Sequence, residues 1–324
     1  MLITNKFNLP EPIYQAILWL EQSHKSNADI SCTMLVDSPL RAWLGHKYYD
    51  QLEEDASERI WALQGSIVHA ILERFGKTSG LHVEKQVIVK DILGWSVSAI
   101  LDCVIKDGAL MDYKYTSVFA LKGGMKSEWV AQLNIGAWLA KHCSDETMVK
   151  ALSSVSSLKS YTIYRDWRLG EAAKEGSKYP RPSEWHDVPV WSEEQTEKYI
   201  KTRVALHQEA RNNPGVPPIC IDSERWMTDF AVCIQGKPKA EKAKFKSHEE
   251  AREWLDRCIG ENPKAYVRDA VPKRCSMYCI YSKCNVCPWY DLESKTTRTE
   301  PLIADVVKGV AADPDHARKD ASNA

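Results

Sequence analysis

The chain has 324 residues, 44% of them apolar and 27% charged, with a formal net charge of −1 at neutral pH. That balance supplies a sizeable core and leaves no global basic field to gather a polyanion, so a nucleic-acid partner would have to be held by local patches. No run approaches the roughly 18 apolar residues of a membrane span, and residues 1–22 lack the basic-then-apolar layout of a secretory leader, so a soluble cytoplasmic protein is expected.

In chain order, residues 11–22 and 33–44 read as helices. Over 56–76, Ile60, Leu63, Ile67, Ile71 and Leu72 recur at near-helical spacing, with Gly76 as the stop. The period then changes to that of strands over 82–90, 94–106 and 109–115, the last two joined by a tight Asp107-Gly108 turn. Residues 127–143 return to helix behind Ser127 as N-cap. One or two strands are expected in 146–165 and a loop in 170–190, where Pro, Gly and charge dominate. Two further helices, 192–213 and 247–260, start at Ser192 and Ser247 and end before Pro214 and at Gly260. From 292 to 324 the polar, alanine-rich composition predicts a disordered tail. The order predicts an α/β or α+β fold, a small central mixed sheet flanked by helices, as one domain over 1–291.

Asp102 stands in 99-AILDCVI-105 and Asp112 follows Ala109-Leu110-Met111. Taken alone, each aspartate reads as a solvent-facing strand residue. Apolar neighbours on both sides instead suggest interior strands, where a carboxylate is costly unless paired or metal-bound. The hairpin could bring the two together, and a divalent cation would remove their repulsion; hard oxygen ligands suit Mg²⁺ or Mn²⁺. Lys114, two residues beyond Asp112, emerges on the same strand face. Tyr113, between them, should face the core.

The pattern Asp102…Asp112-Tyr113-Lys114 on a hairpin resembles the PD-(D/E)XK nuclease superfamily. Gly65-Ser66-Ile67-Val68-His69 is similar to the G-x-x-x-H motif of its RecB-type branch, and Glu84 sits where that branch often has a further acidic residue. Gln132-Leu133-Asn134-Ile135-Gly136 is similar to the Q-x-x-x-Y motif that contacts the substrate end, with Gly136 in the tyrosine position; Trp138 lies on a different helical face. The resemblance spans about residues 30–290, with its motifs in 65–136. It implies metal held by His69, Asp102, Asp112 and the Tyr113 carbonyl, with Lys114 helping the attacking water and Gln132 orienting the substrate. The implied activity is a Mg²⁺- or Mn²⁺-dependent deoxyribonuclease, an exonuclease processing DNA ends in recombination or repair, with a helicase or recombination protein as a further partner. A module that holds DNA ends or a partner without cutting, and a nuclease acting on RNA, are the alternatives.

Four of the ten cysteines, Cys275, Cys279, Cys284 and Cys287, fall within thirteen residues among polar neighbours, which is not a core pattern. Four thiolates suit an iron–sulfur cluster or a zinc ion; only Cys284-x₂-Cys287 has the spacing of a zinc knuckle. The resemblance extends here, because RecB-type nucleases related to AddB and to the CRISPR-adaptation exonucleases carry a [4Fe–4S] cluster that staples an early cysteine to three late ones. Here Ser38-Pro39-Leu40-Arg41 stands where the early C-P-x-x motif would be, so Cys32 or the fourth late cysteine would complete the set. Residues 237–246 hold five lysines against one glutamate, with Phe245 among them, either a solvated loop or a phosphate-tracking patch. Twelve tryptophans offer faces for unpaired bases, most of them expected in the core.

Overall fold

The computed structural model describes residues 1–23, 27–105, 108–121, 123–153, 155, 157–237, 239–298 and 300–302. The chain divides into two compact units, residues 1–42 with 53–212 and residues 43–52 with 213–324. Both mix helix and sheet, in line with the α+β expectation.

The first unit opens with β1 (Leu2–Thr4), α1 (Glu11–Ser23), β2 (Ile30–Ser31) and α2 (Cys32–Val36). The single helix expected over 33–44 is two helices. Ser31 caps α2 by accepting the Met34 amide hydrogen at 3.3 Å, and the backbone turns extended at Asp37. Pro39 causes the break, since its ring disfavours helical backbone at the residue before it; α3 (Pro39–Tyr48) then starts with the proline in its first turn. After β3 (Glu53–Asp55), parallel to β1, a 3₁₀ turn at Ala56–Arg59 leads into α4 (Ile60–Thr78).

The expected stop of that helix at Gly76 is corrected. The helix closes on Gly80 at φ +69°, with the Leu81 N–H bonded to the Gly76 carbonyl and the Gly80 N–H to that of Lys77. In such an ending only glycine sits without strain. Gly76 instead permits close approach, because a Cβ there would stand 2.4 Å from Val83 Cγ1 on the next strand.

The main sheet is built from β4 (His82–Ile92), β5 (Trp95–Val104) and β6 (Ala109–Thr116), then α5 (Ser127–His142), α6 (Glu146–Ser153), β7 (Ser157–Tyr164), α7 (Leu169–Ala172) and β8 (Ser183–Val188). Thus 146–165 holds a helix and one strand, and the expected loop at 170–190 contains a full edge strand. Its sequence, SEWHDV, is polar because much of it faces solvent. At the β5–β6 connection the Gly108 N–H bonds the Ile105 carbonyl at 3.0 Å, with φ +79° at Gly108; Asp107 lies outside the described residues. The α5–α6 crossover sets β7 parallel to β6, and β8 runs antiparallel to β7. The helix α5 starts from Lys126 rather than Ser127 as cap. It packs so closely on the sheet that a Cβ at Gly136 would stand 2.9 Å from Leu101 Cδ2. The buried Asn134 fixes the same helix, donating to the Val130 and Pro189 carbonyls and accepting the Trp191 N–H at 2.7 Å. The unit ends with α8 (Glu193–Asn212), where Ser192 and Gln195 cap each other reciprocally.

The sheet is irregular between Val89 and Ile92 on β4, where its register with β5 shifts, and more widely between β5 and β6. Among the described residues the β5–β6 ladder has two pairs, Cys103↔Met111 and Val104↔Leu110. At its other end β5 is paired on that side by β2, through Val97 and Ser98. Between these points β5 and β6 part, and an open fork is left in the sheet.

The second unit contains α9 (Asp222–Arg225), β9 (Phe230–Ile234), β10 (Lys242–Phe245), α10 (His248–Cys258), β11 (Ala265–Arg268), α11 (Lys273–Met277), α12 (Ile280–Lys283), β12 (Tyr290–Asp291) and β13 (Thr296–Thr297). A three-stranded sheet ordered β10-β9-β11 packs on α10 through Val232, Phe245, Ala251 and Leu255. Ser247 caps α10 as expected, and Gly260 lies just past it at φ +67°. Within the expected tail, residues 292–298 and 300–302 are described and include β13; residues 303–324 lie outside the described residues. Among the described residues no helix is long and apolar enough to cross a membrane.

Candidate metal centre

Continuing the β5–β6 register by one step would set Asp102 opposite Asp112, and the β4–β5 register sets Glu84 opposite Asp102. Three carboxylates therefore fall in one row across three neighbouring strands. Like charges directly opposite destabilise a sheet pair, and the ladder parts where the second pair would form. The Asp102 carboxylate takes up the freed hydrogen bond, accepting the Tyr113 N–H at 2.7 Å. Glu84 is held at φ +47°, in the left-handed region a non-glycine residue occupies only against a conformational cost of about 1–3 kcal/mol.

The long helix α4 supplies the fourth group. His69 Nδ1 lies 3.1 Å from Glu84 Oε1 and 3.8 Å from Asp102 Oδ1, and ligand atoms of these three residues all fall within 4.8 Å of one another. One turn earlier Gly65 has nothing within 4 Å of where a Cβ would stand, because it borders the cleft. On the other side of the row, Lys114 Nζ donates to Asp112 Oδ1 at 2.7 Å and to Gln132 Oε1 at 3.4 Å, and stands 5.6 Å from the Trp129 ring centre. The expectation that Tyr113 faces the core is met only in part: its ring packs beside Val83, Cys103 and Met111, but it is half-buried, borders the cleft and meets His69 edge-on.

The electrostatics reflect the crowding. Burial, then the Asp112 charge, pushes the Asp102 carboxyl up to about 7, against the opposing pull of His69 and the Tyr113 amide. The hydrogen bond to Glu84 raises the His69 imidazole above its ordinary value, with burial opposing and Asp102 assisting. Asp112 Oδ2 is buried with no hydrogen-bond partner among the described residues. An acceptor-only oxygen left in this way, next to two further carboxylates and an imidazole, is the donor set a hard divalent cation satisfies. His69, Glu84 and Asp102 fit such an ion; Asp112 is not within that group and acts on Asp102 and His69 through its charge.

The row floors a cleft of about 960 Å³ whose mouth carries the exposed side chains of Trp19, Met34 and Trp61. The Arg165 guanidinium lies 4.3 Å from the Trp61 ring centre. Sequence reasoning missed Trp19, Trp61 and Trp129 as site residues; a tryptophan on an amphipathic helix carries no local sign of which face meets a cleft. Trp138 is elsewhere, stacked on His142 at 4.0 Å. Cys32 is buried beneath the site with its thiol on the Gln132 carbonyl, and burial pushes it up to about 12. The lysine-rich stretch at 237–246 is partly neutralised: Lys237 pairs with Glu241 and Lys246 with Asp229, while Phe245 is core.

In the second unit, Cys275 lies on α11, and Cys279 and Cys284 cap the two ends of α12. Burial pushes the Cys287 thiol up to about 12, and the thiols acting most strongly on it are those of Cys279, Cys220 and Cys275.

No family model and no curated protein matches the chain. Among solved structures, the crystal structure of SSO0001 aligns with 62% of this chain and 86% of its own length, at 18% identity and a TM-score of 0.43.

Proposed function

We propose that the chain is a divalent-metal-dependent deoxyribonuclease of the PD-(D/E)XK type, RecB-like, acting as an exonuclease on DNA ends. The observation that carries this reading is the row Glu84, Asp102 and Asp112 at a parted strand pair, closed by His69 on one side and Lys114 on the other. A bound Mg²⁺ or Mn²⁺ would lower the pKa of a coordinated water and draw charge from a phosphoryl oxygen. The chain's own residues do the rest. Glu84, Asp102 and His69, with Asp112 beside them, would hold the cation, and the Tyr113 carbonyl would be the backbone ligand the family resemblance implies. Asp112 and Gln132 fix the Lys114 ammonium beside the site, where it orients the attacking water and offsets charge on the scissile phosphate. Trp129 shields that ammonium. The exposed rings of Trp61 and Trp19 offer faces on which unpaired bases stack.

End-labelled and circular DNA, single- and double-stranded, incubated with Mg²⁺, Mn²⁺ or EDTA tests this directly. Metal-dependent release of short products from linear but not circular DNA is expected. Binding of ends without cleavage at any metal concentration would replace the nuclease with a holding module, and cleavage confined to RNA would change the substrate.

A further inference from the structure

The row of the metal centre does not end at Asp112. In the parallel β6–β7 ladder Asp112 pairs with Ser160, and in the antiparallel β7–β8 ladder Ser160 pairs with His186. Two residues along, Lys114 pairs with Thr162. Paired residues share a sheet face, and so do alternate residues of one strand. Leu110 and Leu158, two residues before Asp112 and Ser160, lie in the main core with Leu133, Ile135 and Leu139 of α5. The face that carries Asp112, Ser160, Thr162 and His186 is therefore the one α5 covers.

Four polar atoms on that face are buried with no hydrogen-bond partner among the described residues: Asp112 Oδ2, Ser160 Oγ, Thr162 Oγ1 and His186 Nε2. Ser160 and Thr162 are 0% exposed. Farther along the same strand the polar group is met, since the Tyr164 hydroxyl donates to Glu184 at 3.2 Å. The unmet atoms are thus gathered beside the metal centre, on three neighbouring strands.

We propose that ordered water bridges these four atoms, and that Ser160, Thr162 and His186 are positioning residues that hold the Asp112 carboxylate in place through it. The inference rests on the metal centre of the reading above and not on cleavage of DNA. Buried polar atoms are nearly always met by protein or by water, and several atoms converging on one face supply the two to four partners a buried water needs. Neighbouring strands lie about 4.8 Å apart, which leaves room for a water between facing groups that do not bond directly.

The donors and acceptors also match. An ionised carboxylate only accepts, a hydroxyl donates and accepts, and an imidazole nitrogen does one or the other by tautomer. A chain of such groups can be oriented so that its last donor meets Asp112 Oδ2. That oxygen has two lone pairs, so one can face the water and the other the cation. Lys114 already donates to Oδ1 at 2.7 Å. With a partner on each oxygen, the carboxylate is held against rotation, and the ammonium is held with it. A second cation fits the place poorly, because Asp112 is the sole carboxylate among the four groups and Lys114 offsets its charge. Among the described residues, the ligand grouping is His69, Glu84 and Asp102.

Crystals of the full chain grown with Mn²⁺ should show ordered water within about 3 Å of Ser160 Oγ and of Asp112 Oδ2. Mn²⁺ affinity, read from the EPR signal of the free ion, is the second measurement. Ser160→Ala should weaken it by about tenfold or more, the usual loss when an outer partner of a metal site is removed. Thr162→Val, which keeps the shape and loses the hydroxyl, should weaken it several-fold, while Thr162→Ser should stay close to the parent. A packing role alone would give the reverse order, because serine leaves a cavity there and valine does not. Parent-like affinity in both Ser160→Ala and Thr162→Val, or a crystal structure without water at Ser160, would overturn the network. A parent that shows the expected pattern of affinities yet cuts no DNA would uphold the network and refute only the nuclease. Cleavage by a parent whose hydroxyl variants bind Mn²⁺ unchanged would do the opposite.

Discussion

The β5–β6 ladder ends one residue short of pairing Asp102 with Asp112, and the Asp102 carboxylate accepts the Tyr113 N–H where a strand neighbour would have bonded. The parting of the sheet and the gathering of charge are therefore one event.

Asp112→Asn removes the carboxylate that Lys114 holds. Cleavage should fall by at least about 10²-fold, the usual loss when a group stabilising transition-state charge is deleted. Folding should survive, because an acceptor oxygen remains for Lys114. Residual nuclease activity equal to the parent in an uncontaminated preparation would remove Asp112 from the mechanism.

Stability without metal should fall as pH rises. The folded Asp102 carboxyl titrates at about 7, above its ordinary 3.8, so it favours the folded state most at low pH and loses that contribution as pH rises through about 7. His69, also raised, changes in the same sense. Urea unfolding in EDTA should show stability declining from about pH 5 to pH 8. Asp102→Asn should flatten the decline and exceed the parent by about 2–4 kcal/mol at the alkaline end. A parent whose stability is level across that range would contradict the crowded row.

Glu84→Gln should return the His69 imidazole toward its ordinary value, since the bond to Glu84 is the largest cause of its elevation. NMR titration of the His69 ring in EDTA reads this without any assay of activity. In the parent, added Mg²⁺ should depress the same titration, because proton and cation compete for one set of ligands.

Lys114 and Gln132 should couple. With a contact of 3.4 Å between them, a double-mutant cycle on cleavage rate, using Lys114→Ala and Gln132→Ala, should return an interaction of about 0.5–3 kcal/mol. Strict additivity would mean that Gln132 does not hold the ammonium in place.

Gly76→Ala should destabilise the chain by about 1–3 kcal/mol despite the better helix propensity of alanine, because its methyl group would press on Val83. Adding Val83→Ala should recover part of the loss in thermal unfolding. Full stability of the single variant would mean that α4 can move off β4.

Much of this was legible in the chain because it depends on local rules. Alternation and helical spacing marked β4, β5, β6, α4, α5 and α8; serine caps marked where α8 and α10 begin. Asp102, Asp112 and Lys114 could be named from their apolar surroundings and spacing on the hairpin, and His69 and Gln132 only from the resemblance to a known motif set. Other features were set by partners far along the chain. Gly76 looked like a helix stop and is a contact surface for Val83. Gly136 carried no local sign of its role, which is to let α5 lie against Leu101. Residues 183–188 carried no strand signal of their own, and only the edge of β7 makes them β8.

The sequence by itself determined which residues bear charge, where the backbone is helical or extended, and that thiols are concentrated near residue 280. Only the tertiary structure decided that Glu84 joins the row and that the strands separate beside it. The physical reason is that propensity and periodicity act within a few residues, whereas register, close approach and electrostatic crowding arise between segments that meet only when the chain is folded.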